Sequence, residues 1–422
     1  MPAYLHTRRN FATLLIDAAG WPLGMSFLSM QVILPGYLGT MGAGNVLIGL
    51  VPALANLGAF LPPLFIAAWV ERRPYVRHAV FWLAVAERVP ILAMALCTWL
   101  LGARHPGLTM ALFFVFWGAN NLVMGFNIPV FLSLVAKTSS PERRGLLYGL
   151  GGALGGLLGA AGAVLSRSLL LGLGFPDGYA ACFGIGFVIL MLTILPFPLM
   201  DEPRHEPASG APRLREHLRG LPRTLRADPG FARYILAQNA LVFATVAFGF
   251  FAVFAGRRLG AGEGQLGVYN AILMGTASLA GPVLGAFADR AGNRAVLTVS
   301  ALAAALASSA ALYAVRLPSL MIAAFFLTAA ANAGLGLAGN NIVLEYAGVA
   351  RTATYTAMAM GLTVPLRFGV PILAGLAADR YGYPPVFIVS AVFAVLAAAL
   401  LRLGVPEPRG MGRAQPVSPA VA

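Results

Sequence analysis

Long apolar runs separated by short polar segments make up most of the chain. A membrane hydrocarbon core of roughly 30 Å requires about 20 mainly apolar residues in a helix, and the runs reach that length repeatedly. The pattern predicts about twelve membrane-spanning helices, so the expected fold class is an all-α polytopic membrane protein. The predicted spans cover approximately residues 11–36, 46–70, 79–101, 108–136, 145–170, 179–200, 232–256, 266–288, 295–315, 319–345, 353–377 and 385–404.

One long polar interruption divides the predicted spans six and six. The expected parts are an N-terminal six-helix bundle (1–200), a cytoplasmic linker (201–230), a C-terminal six-helix bundle (231–404) and a cytoplasmic tail (405–422). Leucines recur in the linker at helical spacing with arginines between them, which predicts a short amphipathic helix on the inner leaflet. A solvated linker interrupted by Pro222 is the alternative. The leucines are Leu214, Leu218, Leu221 and Leu225.

Composition supports a membrane protein and excludes a soluble one. The chain of 422 residues is 59% hydrophobic and 10% charged, whereas soluble proteins carry about 25% charged residues. The net charge of +14, from 29 basic and 15 acidic residues, raises the question of a nucleic-acid partner. Position argues against nucleic acid, because Lys137 is the only lysine and the arginines form short clusters between apolar runs. Such clusters are typical of the cytoplasmic loops of membrane proteins.

The distribution of arginines also predicts the orientation. If the N-terminus is cytoplasmic, the linker, the tail and most of the basic loops are cytoplasmic too, as the excess of positive charge on that side requires. We therefore expect a multi-pass protein of the plasma (inner) membrane, monomeric, with both termini in the cytoplasm and with membrane lipids around it. The basic residues assigned to the opposite side are Arg104, Arg167, Arg257, Arg258, Arg316 and Arg380.

The second half of the chain matches the first at a shift of about 200 to 220 residues, a sign of an internal repeat. Each match is weak alone, but all occur in the same order. The pattern predicts two parallel six-helix repeats, an arrangement that places a substrate site between the repeats near the membrane midplane. The matches are Phe11-Ala12 with Phe231-Ala232, Glu71-Arg72 with Asp289-Arg290, Arg144 and Tyr148 with Arg351 and Tyr355, and Gly178-Tyr179 with Gly382-Tyr383.

One loop carries a recognisable motif. The segment Gly285-Ala-Phe-Ala-Asp289-Arg290-Ala-Gly292-Asn-Arg294 resembles the pattern G-x-x-x-D-R-x-G-x-R of the major facilitator superfamily, at the expected loop between spans 8 and 9. With the six-plus-six layout, the resemblance covers essentially the whole chain. It implies a transporter fold in which this loop latches the cytoplasmic side during an alternating-access cycle.

The same loop in the first half departs from the family pattern. Glu71-Arg72-Arg73-Pro74 replaces the aspartate and the turn glycine, and Ala67 stands where the first glycine would be. We therefore expect Asp289 to matter more for gating than Glu71. The alternative is that Asp289 and Arg290 form an ordinary solvated charge pair.

Ionisable residues within apolar spans are functional candidates, because burying a charge in the membrane is costly. Asp17 in span 1 is the candidate for proton coupling; a static capping or pairing role is the alternative. Glu87 and Arg88 are adjacent on span 3 and sum to zero, which favours a structural role. Arg367 lies at about mid-depth in span 11, where its partner is Asp17, Glu345 or an anionic group of the substrate.

Aromatic and amide side chains within the spans are candidates for solute binding. Amides bind hydroxyls or carbonyls without the desolvation cost of a full charge, and the family resemblance implies that spans 1, 4, 7 and 10 line the central cavity. Simple hydrogen bonding between helices is the alternative. The predicted binding residues, besides Asp17, Glu345 and Arg367, are Trp21, Trp117, Asn120, Asn121, Gln238, Asn239, Asn332 and Asn341.

The sequence argues against enzyme chemistry. A phosphate-binding loop needs a lysine after glycine, but Lys137 follows Ala136, and the histidines are isolated. Cys97 and Cys182 lie in apolar segments and offer neither a disulfide framework nor a metal-ligand spacing. We expect no cofactor or metal. The leading interpretation is a secondary active transporter of a small organic solute, with proton coupling and efflux as open options; the rival is a non-transporting receptor or assembly factor that has kept the fold.

Overall fold

The computed structural model describes residues 7–71, 73–204, 226 and 228–407. All regular structure in these stretches is helical. The helices of the first half are α1 (Thr7–Ser26), α2 (Ile33–Thr40), α3 (Asn45–Phe60), α4 (Pro63–Glu71), α5 (Arg77–Leu101), α6 (Pro106–Thr138), α7 (Pro141–Leu173) and α8 (Asp177–Ile194). Those of the second half are α9 (Pro229–Ala244), α10 (Phe251–Leu259), α11 (Glu263–Ala291), α12 (Asn293–Tyr313), α13 (Leu320–Tyr381) and α14 (Tyr383–Ala399). The predicted amphipathic helix of the linker lies outside the described residues.

Ten stretches of the described chain are long and apolar enough to cross a membrane, which confirms the all-α polytopic fold class. Two of them, Leu320–Tyr346 and Met358–Tyr381, lie within the 62 residues of α13. These ten correspond to predicted spans 3 to 12. Predicted spans 1 and 2 are not among the ten; span 1 is divided between α1 and α2, and span 2 between α3 and α4.

Span 2 breaks at consecutive prolines. Pro62 and Pro63 separate α3 from α4, and a proline ring removes a backbone donor and clashes with the carbonyl four residues earlier. Span 1 breaks between α1 and α2 without a proline. Within the described structure the break is compensated by a side chain, because Asn270 Nδ2 of α11 donates to the backbone oxygen of Ser26 at 2.8 Å.

Span 7 breaks in the corresponding place of the second half, between α9 and α10. Here Ser390 Oγ of α14 donates to the backbone oxygen of Ala244 at 2.5 Å. Irregular backbone at membrane depth is tolerated where neighbouring side chains satisfy its polar groups. Spans 1 and 7 are therefore both broken, and both breaks are held by a polar side chain from another helix.

Equivalent aromatic clusters occur in the two halves. In the first, the Tyr37 ring lies 5.3 Å from Tyr179 and 5.1 Å from Phe183. In the second, the Phe254 ring lies 5.5 Å from Tyr383 and 5.1 Å from Phe387. Each cluster joins the first span of its half to the last, as the predicted internal repeat requires.

The two ends of the helix bundle differ in how the halves meet. At the end formed by the connections 41–44, 260–262 and Gly382, here termed the sealed end, the halves are in close contact. A Cβ placed on Gly49 of α3 would lie 2.1 Å from the backbone oxygen of Pro371, and one on Gly375 of α13 would lie 2.4 Å from that of Asn45. The other end, where Thr7 and Gly292 lie, is termed the cavity end.

Close backbone approach at the sealed end predicts the effect of Gly49→Ala. The added methyl group would collide with backbone, and overpacking typically costs about 1–3 kcal/mol, so we expect the sealed end to open. The readout is maleimide labelling of Ala43→Cys, a buried position at this end, in a background of Cys97→Ser and Cys182→Ala. Labelling should rise by about tenfold, equivalent to about 1.4 kcal/mol.

Gly39→Ala in α2 is the matched control, since no atom lies within 4 Å of its Cβ position. It should leave the labelling rate unchanged. An equal rate in Gly49→Ala and Gly39→Ala would show that the crossing of α3 and α13 does not seal this end.

Candidate functional site

A cavity of about 420 Å³ lies between the two halves and is termed the central cavity. Its walls come from both halves and include the breaks of spans 1 and 7, at Met30-Gln31 and Thr245–Gly249. From Pro52 and Pro371 next to the seal, it extends toward the cavity end as far as Tyr234 and Gly339. The lining includes Gln31, Asn56, Tyr234, Gln238, Asn332 and Arg367.

Among the described residues that line the central cavity, Arg367 carries the charged side chain. Its guanidinium carbon lies 5.0 Å from the centre of the Phe60 ring, and its backbone oxygen accepts a hydrogen bond from Asn56 Nδ2 at 3.2 Å. Among the described residues, the buried Nε atom finds no hydrogen-bond partner. A cation–π contact is worth about 0.5–2 kcal/mol, whereas the desolvation of an ion in a protein costs several kcal/mol. The contact with Phe60 therefore compensates only part of the cost of burying this cation.

Gln238 and Asn332, both predicted to bind solute, line the central cavity with Arg367. The Gln238 Oε1 atom is buried without a hydrogen-bond partner. Asn239 is not part of the lining, although its Oδ1 atom is also buried without a partner. Asn341 is exposed and lies outside the lining as well. Of these four predicted amides, two line the central cavity and two do not.

Glu345 lies at the cavity end, away from the central cavity. Its Oε1 atom accepts a hydrogen bond from Asn293 Nδ2 at 2.8 Å, beside the turn at Gly292. The structure thus places Glu345 in the packing of the second half, whereas the sequence grouped it with the solute-binding residues.

A second pocket, of about 530 Å³, lies within the first half among α1, α5, α6, α7 and α8. Asp17, Trp21, Glu87, Arg88 and Asn127 line it, and it is termed the ion-cluster pocket. Asp17 and Trp21 were expected to share a site with Arg367, but the structure places them here. The cation next to Asp17 is therefore Arg88 and not Arg367.

The ion cluster holds two carboxylates around one guanidinium. Arg88 Nη2 lies 4.0 Å from Asp17 Oδ1, and Arg88 Nη1 lies 3.7 Å from Glu87 Oε2. Thr193 Oγ1 donates to Asp17 at 3.1 Å, and Asn127 Nδ2 donates to Glu87 at 3.1 Å. These groups carry a formal excess of one negative charge when both carboxylates are ionised.

Arg88 is fixed in place by backbone and aromatic contacts. Its Nε and Nη1 atoms donate to the backbone oxygens of Leu190 and Ala84, both at 2.9 Å, and its guanidinium carbon lies 5.4 Å from the Trp21 ring centre. Because several contacts hold the guanidinium, it keeps a fixed position between the two carboxylates. Glu87 and Arg88 were expected to be structural; they also line the pocket that contains Asp17.

The predicted binding residues of span 4 are occupied in helix packing. Trp117 Nε1 donates to the backbone oxygen of Val51 in α3 at 3.0 Å. Asn120 Nδ2 donates to that of Glu87 in α5 at 2.6 Å, and Asn121 Nδ2 to that of Trp117 at 2.7 Å. None of these three residues lines the central cavity. For Trp117 and Asn120, the alternative of hydrogen bonding between helices is the better description, whereas Asn121 bonds within its own helix.

The motif between spans 8 and 9 forms a tight turn at the cavity end. Gly292 ends α11 with a φ of +88°, a value that glycine adopts without strain. Arg294 Nε lies 3.5 Å from Glu407 Oε2, and its Nη1 atom donates to the backbone oxygen of Val405 at 3.0 Å. Asp289 and Arg290 are exposed. Arg294 thus ties the turn to the end of span 12.

Three further residues of the gating prediction are Gly285, Glu71 and Arg72. A Cβ on Gly285 would make only an ordinary contact, 3.7 Å from Leu337. In this conformation Gly285 therefore makes no close helix approach to any described residue. The side chain of Glu71 and the whole of Arg72 lie outside the described residues.

A second copy of this motif lies at the sealed end. The segment Gly375-Leu-Ala-Ala-Asp379-Arg380-Tyr-Gly382 repeats the spacing G-x-x-x-D-R-x-G. Like Gly292, Gly382 ends a helix with a positive φ, here +79°. This copy was not among the predicted gating residues, although the spacing of residues 285–292 recurs at 375–382.

Asp379 binds the start of α3 across the boundary between the halves. Its Oδ1 atom accepts hydrogen bonds from the backbone N–H and the side-chain amide of Asn45, both at 2.8 Å. Its Oδ2 atom accepts from the backbone N–H of Val46 at 3.1 Å. A carboxylate at a helix N-terminus also interacts favourably with the helix dipole.

Two more residues of the second half complete this contact. Tyr383 Oη donates to Asn45 Oδ1 at 2.8 Å. Arg257 donates to Asn45 Oδ1 at 3.3 Å and to the backbone oxygen of Ala43. Asn45, Arg257, Asp379 and Tyr383 are termed the Asp379 latch. The latch holds the connection between α2 and α3 against three helices of the other half.

Asp379→Asn should weaken the sealed end. The amide keeps the shape of the side chain but removes the charge and one acceptor, and hydrogen bonds to charged groups contribute about 1.5–3 kcal/mol. We expect maleimide labelling of Ala43→Cys to rise by about 30-fold, equivalent to about 2 kcal/mol. Asp177→Asn, an exposed carboxylate at the start of α8, is the control. If both variants label at the same rate as the parent, the latch does not hold the seal.

Comparison with known proteins identifies the architecture. Residues 240–419 match the sequence model of the Major Facilitator Superfamily. The C-terminal half belongs to the major facilitator superfamily. The whole chain has that fold: it aligns with a D-xylose-proton symporter over 97% of this chain and 99% of the other, with 15% sequence identity and a TM-score of 0.73. The predicted family is thereby confirmed.

Other major facilitator structures are similar over nearly the whole chain. A variant of the nucleoside transporter NupG aligns over 93% of this chain and 99% of its own, with 14% identity and a TM-score of 0.72. A bacterial homolog of the human lysosomal transporter Spinster, inward-facing and unoccupied, aligns over 98% and 99%, with 17% identity and a TM-score of 0.66. No curated protein sequence matches this chain. At such identities the likeness establishes the fold and leaves the solute to be argued from the site.

Proposed function

We propose that this major facilitator protein is a secondary active transporter that moves a small organic solute by alternating access. The observation that carries the proposal is the position of the central cavity. It lies between the two halves, and contacts between those same halves close it at the sealed end. A relative rotation of the halves would break these contacts and expose the cavity to the other side of the membrane.

The arginine distribution supports a cytoplasmic location for the cavity end. Arg290 and Arg143 lie at this end, and basic loops are retained on the cytoplasmic side. The conformation described here is then inward-facing, in a multi-pass protein of the plasma (inner) membrane. Direction of transport, import or efflux, is set by the coupling ion and not by this conformation.

Spin labels on both ends test the proposal directly. One pair replaces Thr40 and Arg258 at the sealed end, and the other replaces Arg143 and Arg290 at the cavity end; all four positions are exposed. Pulsed electron paramagnetic resonance in lipid nanodiscs should resolve two distance populations for each pair. When a change of pH lengthens the distance across the sealed end, the distance across the cavity end should shorten. A single fixed distance in both pairs would favour the rival, a receptor or assembly factor without transport.

Asp289→Asn should disturb the same equilibrium from the cavity end. We propose that the motif loop pairs with the opposite half once the cavity end closes, so loss of the carboxylate should deplete the closed population. A charged hydrogen bond is worth about 1.5–3 kcal/mol, and we expect about a tenfold lower fraction of the short cavity-end distance, measured between spin labels at Arg143 and Arg290. Asp177→Asn, which removes an exposed carboxylate at the other end of the bundle, serves as the control and should leave the fraction unchanged.

We further propose that proton uptake at the ion cluster drives the conformational change. Support comes from the charge count: two carboxylates face one guanidinium in a site removed from water. An uncompensated charge in such a site is strongly unfavourable, and a proton on Asp17 or Glu87 removes it. The cluster contacts α1, α5, α6 and α8, so its charge affects how these helices pack.

Neutralising either carboxylate should remove the response to pH. In Asp17→Asn or Glu87→Gln, one carboxylate and one guanidinium remain as a balanced pair. We expect the sealed-end distance distribution of the parent to shift as the pH is lowered, whereas neither variant shifts. Asp177→Asn, an exposed carboxylate remote from the cluster, should respond like the parent. An unchanged pH response in both cluster variants would contradict proton coupling at this site.

A further inference from the structure

The central cavity carries a formal positive charge. Of the described residues that line it, Arg367 alone has a charged side chain. The other polar side chains there are amides and hydroxyls, such as those of Gln238 and Tyr234. Asp17 and Glu87, the carboxylates inside the spans of the first half, line the ion-cluster pocket instead.

The described part of the protein does not neutralise this charge. No ion pair joins Arg367 to a carboxylate among the described residues. Its Nε atom is buried without a hydrogen-bond partner, and its neighbour is the face of Phe60. A guanidinium left in this state binds an anion strongly, because water no longer competes effectively for it.

We propose that the solute is a small organic monocarboxylate whose carboxylate group pairs with Arg367. This inference rests on the proposed transport function and names its class of solute. The planar fork of a guanidinium matches a carboxylate in a two-point hydrogen bond. A phosphate monoester, with a charge of about −1.5 to −2, would leave the cavity negative, whereas a carboxylate brings it to neutrality.

The neutral side chains of the cavity favour hydroxyl groups on the same solute. Gln238 Oε1 is a buried acceptor without a partner, and a solute hydroxyl supplies a donor. Tyr234 Oη donates to the backbone oxygen of Gly339 at 2.9 Å, so its lone pairs are available to accept a further hydrogen bond. The volume of about 420 Å³ is in the range of small-molecule sites. A hydroxylated carboxylic acid satisfies all of these groups.

The charge of the cavity is tested without knowing the solute. Asn332→Cys, on the cavity lining, is placed in the Cys97→Ser, Cys182→Ala background. It is then labelled with the anionic reagent sulfonatoethyl methanethiosulfonate and with its cationic trimethylammonium counterpart. Arg367→Gln should lower the ratio of anionic to cationic labelling rates at least tenfold. Arg380→Gln, which removes an exposed cation at the sealed end, should not change the ratio.

Binding is tested by protection of the same cysteine from the neutral reagent N-ethylmaleimide. The probes are gluconate, lactate and benzoate, each paired with an uncharged counterpart: glucose, lactamide and benzamide. We expect at least one carboxylate to slow labelling fivefold or more, with no effect of its counterpart. Arg367→Gln should abolish this protection. Arg367→Lys, which keeps the charge and loses the fork, should retain the labelling ratio and show weaker protection.

The proposal is overturned if the uncharged probes protect as well as the carboxylates, if none of the carboxylates protects, or if Arg367→Gln leaves the labelling ratio unchanged. Failure of the transport proposal has a different signature. Spin-label distances that never change, together with protection by a carboxylate, would indicate an anion receptor. If the spin-label distances change but no carboxylate protects the cysteine, the protein is a transporter of another class of solute.

Discussion

The close crossing of α3 and α13 is the contact on which the arrangement of the two halves depends. Glycine at positions 49 and 375 lets the two backbones touch, and the carboxylate of Asp379 then reaches the first N–H groups of α3. These hydrogen bonds depend on the glycines, because they require the short separation that glycine permits. Since the halves meet here, the space between them begins beneath this contact, and the central cavity occupies it.

Much of the fold could be predicted because membrane insertion is a local property of the sequence. A run of about 20 apolar residues must form a helix to satisfy its own backbone, and this criterion alone located the ten spans found here. Breaks within spans are less accessible to such reasoning. Pro62 and Pro63 mark the break of span 2 plainly, but span 1 breaks through tertiary contacts, including the amide of Asn270, that no local pattern contains.

The candidate site was only partly predictable, for a geometric reason. Helical spacing tells which residues share a face, as it does for Trp117, Asn120 and Asn121, but not which neighbour that face contacts. These side chains bond to the backbone of α3, α5 and their own helix. Arg367 and Gln238 face the cavity instead. The Asp379 latch could have been predicted, because the sequence contains its motif twice, and the two copies lie at opposite ends of the bundle.

The separation of charges constrains how coupling could work. The two carboxylates of the ion cluster and the guanidinium of Arg367 line different pockets, the first within one half and the second between the halves. A proton on Asp17 therefore cannot act by releasing Arg367 from a direct ion pair, since Arg88 already holds that carboxylate. Any influence of the proton on the solute has to pass through helix packing. The path available is α1, which carries Asp17 at the cluster and leads, through the break after Ser26, to Gln31 on the cavity wall. The broken first span, the feature least visible in the sequence, is thus the element that links the two charged sites.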